Sequence, residues 1–379
     1  MKDHLTGVEV VKLTAGPGHS THLYFTEDGF WDEGRQLILA RHWSGAWNFF
    51  SCELGSGEFR QLTAFPEGTQ VRLHGAVCHR RERLYFWRGD RLCALDLRSL
   101  AQTELYRCPE GFLPGSPGVD ADGLTVWTTI SEDLRGRVSG GGLAYAYLGY
   151  HEWFQARPRS RIVSVSADGG KAEVRHEEQA WLGHVNPSPQ WPGWLTFCHE
   201  GPWHEVQRMW VFDAASGQAR PLRPRDGVWG VGHEFWCADG VTVGYHARRI
   251  GDDARHLLGF RRFDDAPVFE AEIAAPTQHA HANSPARVVL DGVRSRGDRI
   301  LLVEQRGEGW SEPRVLCAHD TSRHHHFSHA HPRFSPDGRW VVFTSDRTGC
   351  AEVYLAPVPQ DLSALPLDKD LPVRRFYWM

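Results

Sequence analysis

Lysine is scarce in this chain, and no lysine/arginine-rich tract occurs in it. That absence removes the electrostatic footprint by which proteins grip nucleic acid. Arginine carries most of the positive charge within a net charge of -5, and its planar fork grips carboxylates two-fold. No stretch of about 20 apolar residues is present, so no membrane span is expected. The opening MKDHLTGVEVVKLTAG lacks the apolar core of a secretory signal. Eight cysteines stand far apart without a CxxC pair. They read as buried, reduced thiols of a cytoplasmic protein. There is no GxSxG elbow, no HExxH helix, no GxxxxGK[ST] loop and no GxGxxG after a strand. Serine-hydrolase, zincin, P-loop and dinucleotide-binding chemistry are thereby excluded.

What the chain has instead is histidine, tryptophan and a repeat. Residues 324–332 read HHHFSHAHP, five imidazoles within eight residues of a chain with 22 histidines. Imidazole is the commonest side-chain ligand for divalent metals and the usual proton carrier near neutral pH. The sixteen tryptophans suit β-structure and surfaces that stack on sugars.

Length alone points to two or three domains, but a pattern of apolar strand, polar turn and apolar strand returns along the whole chain. Its units begin near Arg35, Arg83, Leu124, Trp194, Thr242, Arg299 and Trp340. A repeat of this kind in an all-β chain predicts a seven-bladed β-propeller filling residues 1–379 as one domain. Val8–Thr14 (VEVVKLT) is a lone strand before the first unit. An unpaired edge strand is a liability, so this strand is expected to close the last blade. An insertion at about 131–159 is expected to form a lid or wall over the axial opening.

Two histidine groups point to a metal. His326, His329 and His331 precede the first strand of the seventh unit, and His279 and His281, in HAHAN, hold the same position one unit earlier. Residues two apart in an extended segment face the same way, so His329 and His331 can converge. Adjacent blades would then gather three or four imidazoles round one ion, a nitrogen-rich set suited to Mn, Zn, Ni or Fe rather than Ca. His324 and His325 read as surface residues. A further series, WLGH (to His184), FCHEGP (with His199), QRMW (with Arg208) and HEFW (from His233), stands before other inner strands. Each alone is a common structural feature; together they would line the same axial mouth. An arginine, an independent histidine and a cation in one cleft suit an acidic substrate.

These residues resemble the oligogalacturonate lyase family. The resemblance rests on WLGH...FCHEGP....QRMW (181–210), HEFW (233–236), HAHPRFSPDGRWVVFTSD (329–346), WSGAWNFFSCELGSGEFRQLT (43–63), HLYFTEDGFWDEGRQLIL (22–39) and FQARPRSRIVSV (154–165). It covers roughly residues 8–357 and is thinnest at about 70–150. It implies a seven-bladed propeller with a Mn-type site that cleaves short, often unsaturated oligogalacturonides by β-elimination in the cytoplasm. By motif, the family's metal-binding histidines fall on His279, His329 and His331. Its ligand glutamine falls on His326, a departure that keeps a ligand but alters softness. The base falls on His233 and its companion arginine on Arg208. His184 and His199 are second-tier candidates for contacting substrate or protonating the leaving oxygen. The implied partner is an acidic oligosaccharide, with no nucleic acid and no membrane; the oligomeric state is not legible. Alternatives are a lyase for another uronate-containing oligosaccharide, with the same metal and fold, and a non-catalytic propeller that binds a ligand or protein. A propeller that has lost a fused peptidase domain is a weaker third.

Overall fold

The computed structural model describes residues 1–138, 149–264, 266–292 and 298–372. Part of the insertion expected at 131–159 lies outside them. The chain forms two compact units, residues 27–227 and residues 1–26 with 228–379.

The first unit carries four antiparallel sheets. Blade 1 includes Phe30–Trp31, Gln36–Trp43, Ala46–Glu53 and Phe59–Gln61. Blade 2 spans Ala76–Cys78 to Gln102–Arg107. Blade 3 comprises Phe112–Val119, Thr125–Glu132, Arg159–Ser166 and Ala172–Gln179. Blade 4 comprises Leu182–Pro187, Trp194–His199, Met209–Asp213 and Gln218–Pro221. The second unit carries three more. Blade 5 runs from Trp229–Trp236 through Thr242–Arg249 and Asp252–Arg262 to Pro267–Ile273. Blade 6 contains Thr277–Ser284, Arg287–Gly292, Arg299–Arg306 and Arg314–Ala318. Blade 7 contains Arg333–Phe334, Trp340–Ser345, Glu352–Pro357 and the N-terminal Val11–Lys12. The fold is therefore the all-β, seven-bladed propeller class that the repeat predicts.

The N-terminal strand does close the last blade. Val11 pairs with Leu355 and Lys12 with Tyr354, and the Leu13 amide donates to the Val353 carbonyl at 2.9 Å. Middle strands are apolar on both sides because both faces of their sheets are covered. In Arg299–Arg306, Leu301 and Val303 pack in one buried cluster with Phe235 and Leu258 of blade 5. Ile300 and Leu302 pack in another with Val341 and Phe343 of blade 7. Each such side chain stabilises the fold by roughly 1.5–3 kcal/mol.

The innermost strands were not legible as strands, and they matter most for the site. Each of blades 3 to 6 has a register shift there, at Pro114/Pro117, Gly183/Asn186, Gly232/Phe235 and Thr277/Ala280. A bulge of this kind re-aims a side chain out of the regular alternation. His184, His233 and His279 sit in three of them. They therefore lie on the innermost strands, not ahead of them. Seven of the eight cysteines are buried and none is disulfide-bonded. Among the described residues no helix is long and apolar enough to cross a membrane.

Candidate functional site

In the unit containing blades 5 to 7, His279, His329 and His331 come together. One ring nitrogen of each lies within 4.8 Å of the others. The ring centres of His279 and His331 are 4.3 Å apart, and those of His329 and His331 5.4 Å. All three residues are buried. Nδ1 of His329 and Nε2 of His331 have no hydrogen-bond partner. Two orphaned nitrogens buried side by side cost free energy unless something accepts their lone pairs. A divalent cation fits that need, and the three-nitrogen set fits a Mn, Zn, Ni or Fe ion.

The supporting residues fix each ring. His279 Nδ1 lies 2.7 Å from Oδ2 of Asp291, at the end of the strand Arg287–Gly292. Oδ1 of the same carboxylate accepts the amides of Gln278 at 3.0 Å and His279 at 2.5 Å. An ionised carboxylate can only accept, so Nδ1 carries the proton and Nε2 is left as the donor toward a metal. Burial raises the Asp291 carboxyl, but His279 and Arg323 outweigh it and hold the group below its ordinary range. His331 adopts φ 42°, in the left-handed region that non-glycine residues avoid. Its carbonyl accepts Nε2–H of His22 at 2.8 Å, and Nδ1 of His22 faces Thr344 Oγ1 at 2.7 Å. Burial, assisted by neighbouring imidazoles, pushes His329 down to about 3 and holds His331 well below the usual histidine value. Both rings are thus neutral and ligand-competent at pH 7.

His326 stands beside this set, as near to His329 and His331 as those two rings are to each other. Its ring centre is 5.1 Å from that of His331 and 5.3 Å from that of His329. It is half-buried and opens the short turn His326–Ser328. His324 and His325 are exposed, as expected. His281 is not turned to the cluster. Its Nδ1 accepts the Phe334 amide at 3.2 Å, and it packs on Phe235 and Phe334. It is a buried structural histidine tying blade 6 to blade 7.

His233 stacks on His279 with ring centres 4.5 Å apart. Its Nδ1 is 2.5 Å from the Gln278 carbonyl and 3.1 Å from Nε2 of His246. A carbonyl only accepts, so Nδ1 is protonated and the lone pair of the neutral ring is on Nε2, as a general base requires. His233 also has positive φ, 54°. The bulge between Gly232 and Phe235 imposes this conformation. His246, 1% exposed, backs it. Burial, with His279 next, pushes His246 down to about 3.

A second cluster lies in the unit containing blades 1 to 4. Glu200 is its hub. Oε2 accepts Arg208 Nη1 at 3.0 Å and the Tyr150 hydroxyl at 3.2 Å, while Oε1 lies 3.1 Å from His184 Nε2 and 3.6 Å from Cys198 Sγ. Burial raises the Glu200 carboxyl, but Arg208 and His184 outweigh it and keep it ionised. His199 is not brought to this cluster. Neighbouring residues of a strand face opposite sides, and His199 points to Glu178, 2.9 Å away, and stacks on Trp210. Sequence reasoning missed Asp291, His246, Tyr150 and Glu200 as site residues. For Asp291 the available signal is an acid that closes the apolar run at 288–290.

Comparison with known proteins bears on this arrangement. A family model described as oligogalacturonate lyase matches residues 1–264. An oligogalacturonide lyase of Pectobacterium atrosepticum is 27% identical over 95% of this chain and 96% of its own length. An oligogalacturonate lyase of Dickeya dadantii is 26% identical over the same shares. A solved structure of an oligogalacturonate lyase in complex with manganese superposes with a TM-score of 0.84 at 23% identity, over 96% of each chain. The crystal structure of an oligogalacturonate lyase from Vibrio parahaemolyticus gives 0.83 at 23%, over 95% of this chain and 96% of that one. These two structural likenesses carry the fold.

Proposed function

The chain belongs to the oligogalacturonate lyase family, and from that premise we propose that it cleaves short, unsaturated oligogalacturonides by metal-assisted β-elimination. The observation that carries the reading is the buried trio His279, His329 and His331, two of its nitrogens unpartnered, with His233 stacked against it.

The reaction removes the proton α to a uronate carboxylate and expels the sugar linked through the 4-oxygen. When bound by His279, His329 and His331, with His326 beside them, a divalent cation, Mn2+ first, supplies electrostatic stabilisation of the charge that develops on that carboxylate. His233 takes the proton on Nε2. The Gln278 carbonyl holds the other nitrogen protonated, so the base keeps one tautomer through the step. The electron pair of the broken C–H bond becomes the new C=C bond as the C–O bond breaks. The leaving oxygen then needs a proton, and His184 is the group we assign to it. Arg208 is assigned to a uronate carboxylate or to the developing charge. Asp291 and His22 act on the ligand histidines, through a ring nitrogen of His279 and the backbone carbonyl of His331.

The partner is an acidic oligosaccharide, and eight cysteines without a disulfide, seven of them buried, support a cytoplasmic location. The test is incubation with digalacturonate and Mn2+, with and without chelator. Unsaturated product that appears only with the metal supports the reading. Turnover of a different uronic-acid oligomer alone moves it to another uronate lyase, and no product from any uronate returns it to a binding propeller.

A further inference from the structure

Three donors of the second cluster, His184, Cys198 and Glu200, have ligand atoms within 4.8 Å of one another. The set has the composition of a metal site, but its charges argue otherwise. Glu200 already receives the guanidinium of Arg208 at 3.0 Å, with Arg208 itself 3% exposed. A dication there would meet a buried, permanently charged arginine. The carboxylate has instead one hydrogen-bond donor set on each oxygen, which describes an orienting hub.

We infer that Glu200 is the positioning residue that fixes Arg208 and His184 for the reaction proposed above, a role that rests on the reading of Arg208 as a working group. The backbone is built to bring this carboxylate in. His184 sits at φ 50° in the bulge after Gly183. A Cβ at Gly183 would lie 2.6 Å from Glu200 Oε1, so a side chain there would push the carboxylate away from the innermost strand. The helix Tyr150–Ala156 docks on the segment that follows the strand Trp194–His199, at Gly201. Tyr150 accepts the Gly201 amide at 2.8 Å, and its hydroxyl proton is shared between the Gly201 carbonyl at 3.0 Å and Glu200 Oε2 at 3.2 Å, while Trp153, 3% exposed, packs on Trp181. The face of Trp203 lies 5.4 Å from the Arg208 guanidinium carbon. Arg208 is thereby held by an anion on one edge and an aromatic ring on its face. A misplacement of about 1 Å in such a group costs on the order of 100-fold in rate.

The experiment compares wild type with Glu200→Gln, Arg208→Ala and the double variant on digalacturonate with Mn2+, reading kcat, KM and thermal midpoint. Glu200→Gln keeps the shape and one acceptor oxygen. It is expected to unfold within a few degrees of wild type while losing about 10- to 100-fold in kcat/KM. The double variant is expected to be no slower than Arg208→Ala, because the two residues act as one unit. Glu200→Asp, which keeps the charge on a shorter arm, is expected to recover part of the loss. If Arg208→Ala is slow while Glu200→Gln runs at the wild-type rate, or if the two losses add in full, the positioning role is overturned and Arg208 stands alone. If Arg208→Ala is as fast as wild type, the underlying reading of Arg208 is what fails. Should Glu200→Gln not fold, Tyr150→Phe and Gly183→Ala report on the same hub. Unchanged kcat/KM in both folded variants overturns the role equally.

Discussion

Oδ2 of Asp291 stands 2.7 Å from Nδ1 of His279, and both residues are buried, at 1% and 3% exposure. The pair converts an imidazole of either tautomer into one that presents Nε2. It also makes that nitrogen a stronger donor, because the carboxylate compensates charge drawn from the ring.

Asp291→Asn is accordingly expected to weaken divalent-metal binding by about 10- to 100-fold, as a lost supporting carboxylate does elsewhere. The measure is the Mn2+ dissociation constant by calorimetry. Activity should return when Mn2+ is raised by the same factor. Unchanged affinity would mean that Asp291 serves the backbone amides alone.

His233→Ala should retain metal and fold but lose about 100- to 10,000-fold in kcat, the range for a general base. Elemental analysis and absorbance of the unsaturated uronate read the two quantities separately. Normal product formation refutes the assignment of the base.

His326 is half-buried, whereas His329 and His331 are buried and each keeps an unpartnered nitrogen, so His326→Ala should weaken Mn2+ binding less than His329→Ala or His331→Ala does. His326→Gln replaces nitrogen with an amide oxygen and should shift preference from Zn2+ toward Mn2+, because oxygen donors suit the harder ion. Competition between the two ions in one titration reads this directly. Equal loss from all three alanine variants would make His326 a full ligand.

Acid should destabilise the metal-free protein well before its carboxylates titrate. His319, fully buried, and His246 are both pushed down to about 3 by burial, from an ordinary value of 6.5. Between these limits the unfolded chain binds a proton that the folded chain refuses, so stability rises with pH. It is complete above about pH 6.5 and falls on acidification, by at most about 1.4 kcal/mol per pH unit for each histidine. Urea midpoints at pH 7.5 and 5.0 check the sign. His319→Gln, if it folds, should show a smaller difference between the two.

Much of this was legible in the sequence. Alternating turns and apolar strands gave the seven units, and VEVVKLT, left without a partner in its own unit, marked the strand that completes the last blade. HAHAN and HFSHAH marked the imidazoles because their spacing repeats one blade apart. What escaped was everything set by a bulge. His184 and His233 lie on innermost strands whose Gly-His step breaks the period-two pattern, so those strands read as approaches to a strand. His199 read with His184 as a candidate for contacting substrate, and in the structure its ring faces Glu178. Glu200 was visible within FCHEGP, yet its role depends on Gly183 and Tyr150 reaching it from distant parts of the chain.

The account rests on one ion held by His279, His329 and His331. The most direct measurement is the divalent-metal content, by elemental analysis, of the purified chain and of His329→Ala after loading with Mn2+ and gel filtration. The account predicts close to one ion per wild-type chain and almost none in the variant. A metal-free wild type, or a variant that carries as much metal as the wild type, would contradict it.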